Sequence, residues 1–170
     1  MGLKVSVFTA ILSLLISCKK GVKVEVTSAK KVDNTEKITE AASQYEDLEG
    51  NPIAIADYKG KRVLLNYWAT WCRPCIEEMP SMLRSQAILE KENYIFLLAS
   101  DQTLEVIKAF KEKRNFDFNY IKYNGSWAEQ QINSLPTTYI YNEEGEKVEK
   151  IVGGVTWDSP EVIKKLKNTH

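Results

Sequence analysis

The stretch "WATWCRPCIEEMP" (residues 68–80) decides how the rest of the chain is read. It places Cys72 and Cys75 with two residues between them, behind a tryptophan and around a proline. The chain has three cysteines, and the third, Cys18, lies far away at the end of an apolar run. A pair so spaced can do redox chemistry, hold a metal or act as a small staple.

Structural zinc takes four ligands, usually Cys or His, often from two such knuckles. Here the one histidine is His170, the last residue, so no metal site is expected and no other cofactor is called for. As a staple the pair would be poorly placed, because closing a four-residue loop removes only ~2 kcal/mol of unfolded-chain entropy. The redox reading is physically coherent. A strand ending near Tyr67 would deliver Cys72 to the start of the next helix, where unpaired N–H groups and the positive end of the dipole favour a thiolate. Cys75 falls one turn further in, on the same side and better covered. Cys72 therefore reads as the attacking thiol and Cys75 as the resolving thiol that breaks the mixed disulfide. Pro74 fits the first helical turn. Arg73 either adds positive charge beside the thiolate or is a solvated surface residue.

The flanking patterns build an α/β frame around this pair. "RVLLNYW" (62–68) and "NYIFLLAS" (93–100) read as buried strands, and "PIAIADY" (52–58) alternates before a turn at "KG". Residues 73–91 read as a helix that Pro80 should kink or restart. Asp101 can cap a helix through about Lys113, with Leu104, Ile107 and Phe110 toward the core. "PTTYIYN" (136–142), a turn at "EEG" (143–145) and "EKVEKIVGG" (146–154) make a hairpin. "DSPEVIKKLKN" then offers a Ser cap followed by Pro at the first helical position. The sum is a mixed sheet flanked by helices.

Across 170 residues, 23 basic and 23 acidic side chains balance, so no nucleic-acid partner is expected. The start is different in kind. "MGLK", the apolar "VSVFTAILSLLI" and then "SCKK" read as a secretory signal, since twelve helical residues rise only about 18 Å against a roughly 30 Å hydrocarbon core. "LISC" (15–18) resembles a bacterial lipobox, which implies that Cys18 is lipidated and becomes the first mature residue. Residues 19–42 hold no aromatic residue and no Leu, and read as a flexible tether of roughly 25–30 Å mean reach. The expected organisation is a signal over 1–17, the lipidated Cys18 and tether over 18–44, and a folded domain over 45–170. Export places Cys72 and Cys75 outside the reducing cytosol.

"VLLNYWATWCRPC" and "LPTTYIYNEEG", followed by a Gly-rich turn, together resemble the thioredoxin superfamily. Within it the match is to the TlpA/ResA-like group of membrane-tethered thiol:disulfide oxidoreductases. The resemblance covers roughly residues 45–168 and implies a thioredoxin-like sheet. It aligns Pro136 with the cis-proline that faces the cysteines, and gives Leu135 a role in hydrogen-bonding an extended client segment. It sets Trp71 on the client surface, with Trp68 flanking the cysteines or packing in the core. Cytosolic thioredoxins carry a buried Asp where this chain has Asn66, and the group instead has a helix Glu, which Glu78 matches. The implied catalytic set is thus Cys72, Cys75 and Glu78, acting on client proteins with thiols or disulfides. The implied location is the cell envelope, anchored to a membrane through the lipid and facing the periplasm or exterior; the upstream electron donor is not readable.

Two competing readings fit less well. A thiol peroxidase on the same fold would need Pro at 65 and Thr or Ser at 69 ahead of Cys72, and the residues are Leu65 and Ala69. A redox-inert binding lipoprotein would have no use for an intact Cys72/Cys75 pair.

Overall fold

The computed structural model describes residues 43–169. The expected signal segment, Cys18, almost all of the tether and His170 lie outside the described residues.

The central strand is Arg62–Tyr67 (β3), in which every residue after Arg62 is buried. An apolar run without polar alternation suits a strand covered on both faces. Its side chains still divide by parity. Leu64 shares one core cluster with Trp68, while Val63, Leu65 and Tyr67 belong to the other. Before β3 come two-residue strands at Tyr45–Glu46 (β1) and Pro52–Ile53 (β2). After it come Tyr94–Ser100 (β4), Asn119–Tyr123 (β5), Thr137–Tyr141 (β6) and Lys147–Val152 (β7). They form one seven-stranded sheet in the order β2-β1-β5-β4-β3-β6-β7. β4 lies parallel to both β3 and β5, whereas β6 runs antiparallel to β3 and β7. The sheet is mixed, as expected.

Three helices, Arg73–Leu89 (α1), Leu104–Arg114 (α2) and Pro160–Lys167 (α3), put Met79, Met82, Leu89, Ile107, Phe110 and Leu166 into the Trp68 cluster. On the other face, Tyr45, Tyr67, Tyr123 and Tyr139 pack with Trp127 and Ile132 from the segment between β5 and β6. Each such large side chain contributes about 1.5–3 kcal/mol on burial. Among the described residues, no helix is long and apolar enough to cross a membrane.

Four local expectations change. β1 and β5 are additional strands. "PIAIADY" supplies only the two residues of β2 before a 3-10 turn, Ile55–Tyr58, in which no residue is buried. α1 is one continuous helix through Pro80; Pro80 is exposed, so its ring and missing N–H fall where water can serve the backbone. Finally, Thr103 rather than Asp101 is the cap residue of α2.

Candidate active site

Beyond β3 the backbone stays bound to β4 for one more residue, because Trp68 N–H donates to the Ala99 carbonyl at 3.0 Å. The turn that follows is pinned from outside. Gln102 Oε1 accepts from Thr70 N–H at 2.7 Å, and Gln102 Nε2 donates to Thr70 Oγ1 at 3.0 Å. Cys72 N–H reaches Ala69 O at 3.0 Å, and Cys72 then becomes the cap of α1. Its Sγ accepts from Cys75 N–H at 3.3 Å. A sulfur at this position faces the N–H end and the positive end of the dipole of the helix, a setting that favours negative charge.

Cys72 and Cys75 are joined in a disulfide with a Cα–Cα separation of 5.3 Å. Both residues are buried, and Cys72 at the cap keeps 4% exposure where Cys75 keeps none. Trp71, immediately before Cys72 in the chain, is 69% exposed. Trp68 is fully buried, with ring centroids 4.5 Å from Phe110 and 5.4 Å from Tyr120, so it is a core residue. Arg73 is exposed and ion-paired with Glu77, also exposed, at 2.7 Å.

Glu78, one turn beyond Cys75 and on its side of α1, is buried. Its carboxyl is surrounded by donors from three directions. Asn66 Nδ2 in β3 donates to Oε1 at 2.9 Å, while Val155 N–H and Trp157 Nε1 each donate to Oε2 at 3.0 Å. Burial pushes the Glu78 pKa above the ordinary carboxylate value, and the three hydrogen bonds pull it part of the way back. Ser81, one turn further along, accepts from Trp157 N–H at 3.1 Å and ties the same loop to α1.

The Leu135–Pro136 peptide bond is cis. Pro136 O accepts from Gly153 N–H at 2.9 Å, with Gly153 at φ +92°, where a side chain would be strained. A Cβ on Gly154 would lie 3.8 Å from the Pro74 carbonyl, so this loop rests on the turn between the cysteines. Leu135 is half-buried against the cluster that contains Cys72 and Cys75. The structure thus brings Trp71, Cys72, Cys75, Glu78, Leu135 and Pro136 to one end of the sheet. It adds Gln102, Asn66, Val155 and Trp157, which hold these residues in place. The donors to Glu78 carry no local motif, because β3 and the β7–α3 loop meet α1 only in the folded chain. Among the described residues, no group of three or more His, Cys, Asp or Glu could hold a metal ion.

The position a peroxidase would fill with Thr or Ser is Ala69, fully buried, and Leu65 is likewise buried inside β3. A hydroxyl beside Cys72 is absent at that point. A family model described as the AhpC/TSA family matches residues 34–151.

The chain belongs to this AhpC/TSA family. The thiol-disulfide oxidoreductases ResA of a Bacillus cereus strain and of a Bacillus thuringiensis strain are 37% and 35% identical to it, over 113 and 127 residues. These matches cover 65% and 71% of this chain, and 65% and 72% of the relatives. A thiol:disulfide interchange protein from Bacteroides sp. superposes with a TM-score of 0.63 at 23% identity, over 75% of this chain and 88% of that one. The exposed lipoprotein thioredoxin Etrx1 of Streptococcus pneumoniae does so with a TM-score of 0.57 at 22% identity, over 72% and 94%. Both establish the thioredoxin-like fold. With relatives of that activity and a Cys72–Cys75 disulfide at the cap of α1, the chain is a thiol:disulfide oxidoreductase.

Proposed function

We propose that this oxidoreductase works as a reductant of protein disulfides in the cell envelope, held to a membrane through a lipid on Cys18. The disulfide between the capping Cys72 and the covered Cys75 carries the reading. In the forward direction the Cys72 thiolate attacks a client disulfide, forming a mixed disulfide and releasing one client thiolate. Cys75 gives its proton to the Glu78 carboxylate and attacks Cys72 Sγ. The second client thiolate leaves, and the enzyme holds the Cys72–Cys75 disulfide. Two electrons pass from the dithiol to the client. Glu78 returns its proton to the departing thiolate or to water.

A strongly oxidising couple needs a strongly stabilised thiolate. Here the residues between the cysteines are Arg73 and Pro74, with no histidine, and the Arg73 charge is shared with Glu77. Modest stabilisation favours the reducing direction. Exposed Trp71 and the Leu135–Pro136 segment would receive an extended client. A short basic start, an apolar run and "LISC" support export and lipidation.

The test is trapping. Cys75→Ser should accumulate mixed disulfides with client proteins, visible on non-reducing gels, and Cys72→Ser should trap none. Equal trapping by both variants would overturn the assignment of attacker and resolver.

A further inference from the structure

The groups around Glu78 raise a question that the proton-transfer step makes acute. Asn66 Nδ2, Val155 N–H and Trp157 Nε1 are all donors, and all point at the carboxyl. That arrangement suits a carboxylate. A carboxylic acid has an O–H of its own, which needs an acceptor, and a buried O–H that faces only donors is left unsatisfied at a cost in free energy. The backbone N–H of Val155 and the indole of Trp157 can only donate. Among the described residues, no cationic side chain is ion-paired with Glu78. Asn66 is different, because its amide carries a donor and an acceptor on opposite sides. Its Nδ2 donates at once to Glu78 Oε1 and to Thr138 Oγ1, both at 2.9 Å. Asn66 and Thr138 are directly paired across β3 and β6, and both are buried.

From this geometry we infer that Asn66 is a positioning residue whose amide swivels by half a turn as Glu78 gains or loses its proton, with the Thr138 hydroxyl reversing its role in step. The inference rests on Glu78 as the proton acceptor for Cys75. With Glu78 ionised, Nδ2 donates to Oε1 and to Thr138 Oγ1. When the Cys75 proton arrives on Oε1, the amide turns so that Oδ1 faces the pair. It then accepts from the Glu78 O–H and from the Thr138 O–H, which turns from acceptor to donor. Oε2 keeps its bonds from Val155 and Trp157 in both states, so the loop over Pro74 stays in place. Both protonation states then have hydrogen-bond partners at Oε1 without a change in the backbone. A fixed donor at residue 66 would serve only the ionised form, and a fixed acceptor only the neutral one.

Nuclear magnetic resonance on the reduced, isotope-labelled full chain tests this from about pH 5 to pH 9, upward from the ordinary carboxylate range because burial raises the group. The Glu78 carboxyl carbon should titrate. Through-space cross-peaks from the Asn66 side-chain NH2 to the Thr138 methyl should be present above that midpoint and lost below it. In Glu78→Gln, whose NH2 mimics the O–H toward Asn66, those cross-peaks should be missing at every pH. Cross-peaks that persist through a Glu78 titration would overturn the swivel and leave the proton acceptor standing. A Glu78 carbon that does not titrate would overturn both.

Discussion

Trp157→Phe isolates one hydrogen bond to the carboxyl on which resolution depends. Trp157 is fully buried, and its Nε1 donates to Glu78 Oε2 at 3.0 Å. Phenylalanine keeps an aromatic ring at the site and removes the donor. A hydrogen bond to a charged group is worth about 1.5–3 kcal/mol, and each pKa unit corresponds to about 1.36 kcal/mol. Because the bond favours the ionised carboxyl, its loss should raise the Glu78 pKa by about 1–2 units. A smaller ring in a packed core also leaves a cavity, so stability should fall by about 1–3 kcal/mol. Stopped-flow measurement of mixed-disulfide resolution across pH should show the midpoint displaced upward by that amount, in a protein whose circular dichroism is unchanged. A midpoint that stays put or moves down would refute the coupling of Trp157 to Glu78.

Other tests address Glu78 itself, the turn before Cys72 and the sequence around Cys18. Glu78→Gln should slow resolution at least tenfold near neutral pH, and Glu77→Gln, which only frees Arg73 at the surface, should leave it within twofold; the two rates are compared by stopped flow. Since burial raises the folded-state pKa of Glu78 above its ordinary 4.5, the native state holds the proton more tightly than the unfolded chain. That contribution to stability is complete below about pH 4.5 and is lost as pH rises through the folded value, so wild type minus Glu78→Gln unfolding free energies should decline over this window. Gln102→Ala frees the Thr70 turn that carries Trp71. It should raise KM for protein disulfides several-fold and leave exchange with a small disulfide nearly unchanged. Cys18→Ala should shift the protein from the membrane fraction to a soluble or uncleaved form, read by fractionation and mass.

The cysteine pair, its helix, the central strands and the last hairpin were legible because each signal is local. A continuous apolar run, a Pro at the first helical turn and a Gly-bearing turn speak for themselves within a few residues. β5 was harder, since "NYIKY" mixes aromatic and polar residues and owes its strand state to pairing with β4, which lies well upstream in the chain. "PIAIADY" misled in the opposite sense, as its alternation has no long partner strand and Asp57 instead accepts the Ala54 N–H to close a 3-10 turn. At the site, Glu78 could be told from Glu77 by helical spacing, and the exposed Arg73–Glu77 pair agrees with that phase. The clasp formed by Asn66, Val155 and Trp157 could not be seen, because it is assembled from residues 12 to 79 positions away from Glu78.

The measurement that bears most directly on the account is the reduction potential of the Cys72/Cys75 couple, taken by equilibration with glutathione or with a reference dithiol. Modest stabilisation of the Cys72 thiolate, with Arg73 paired to Glu77 and no histidine between the cysteines, predicts a value near the thioredoxin range, at or below about −250 mV. A potential near −120 mV, about that of a strong periplasmic oxidant, would contradict the reductant assignment.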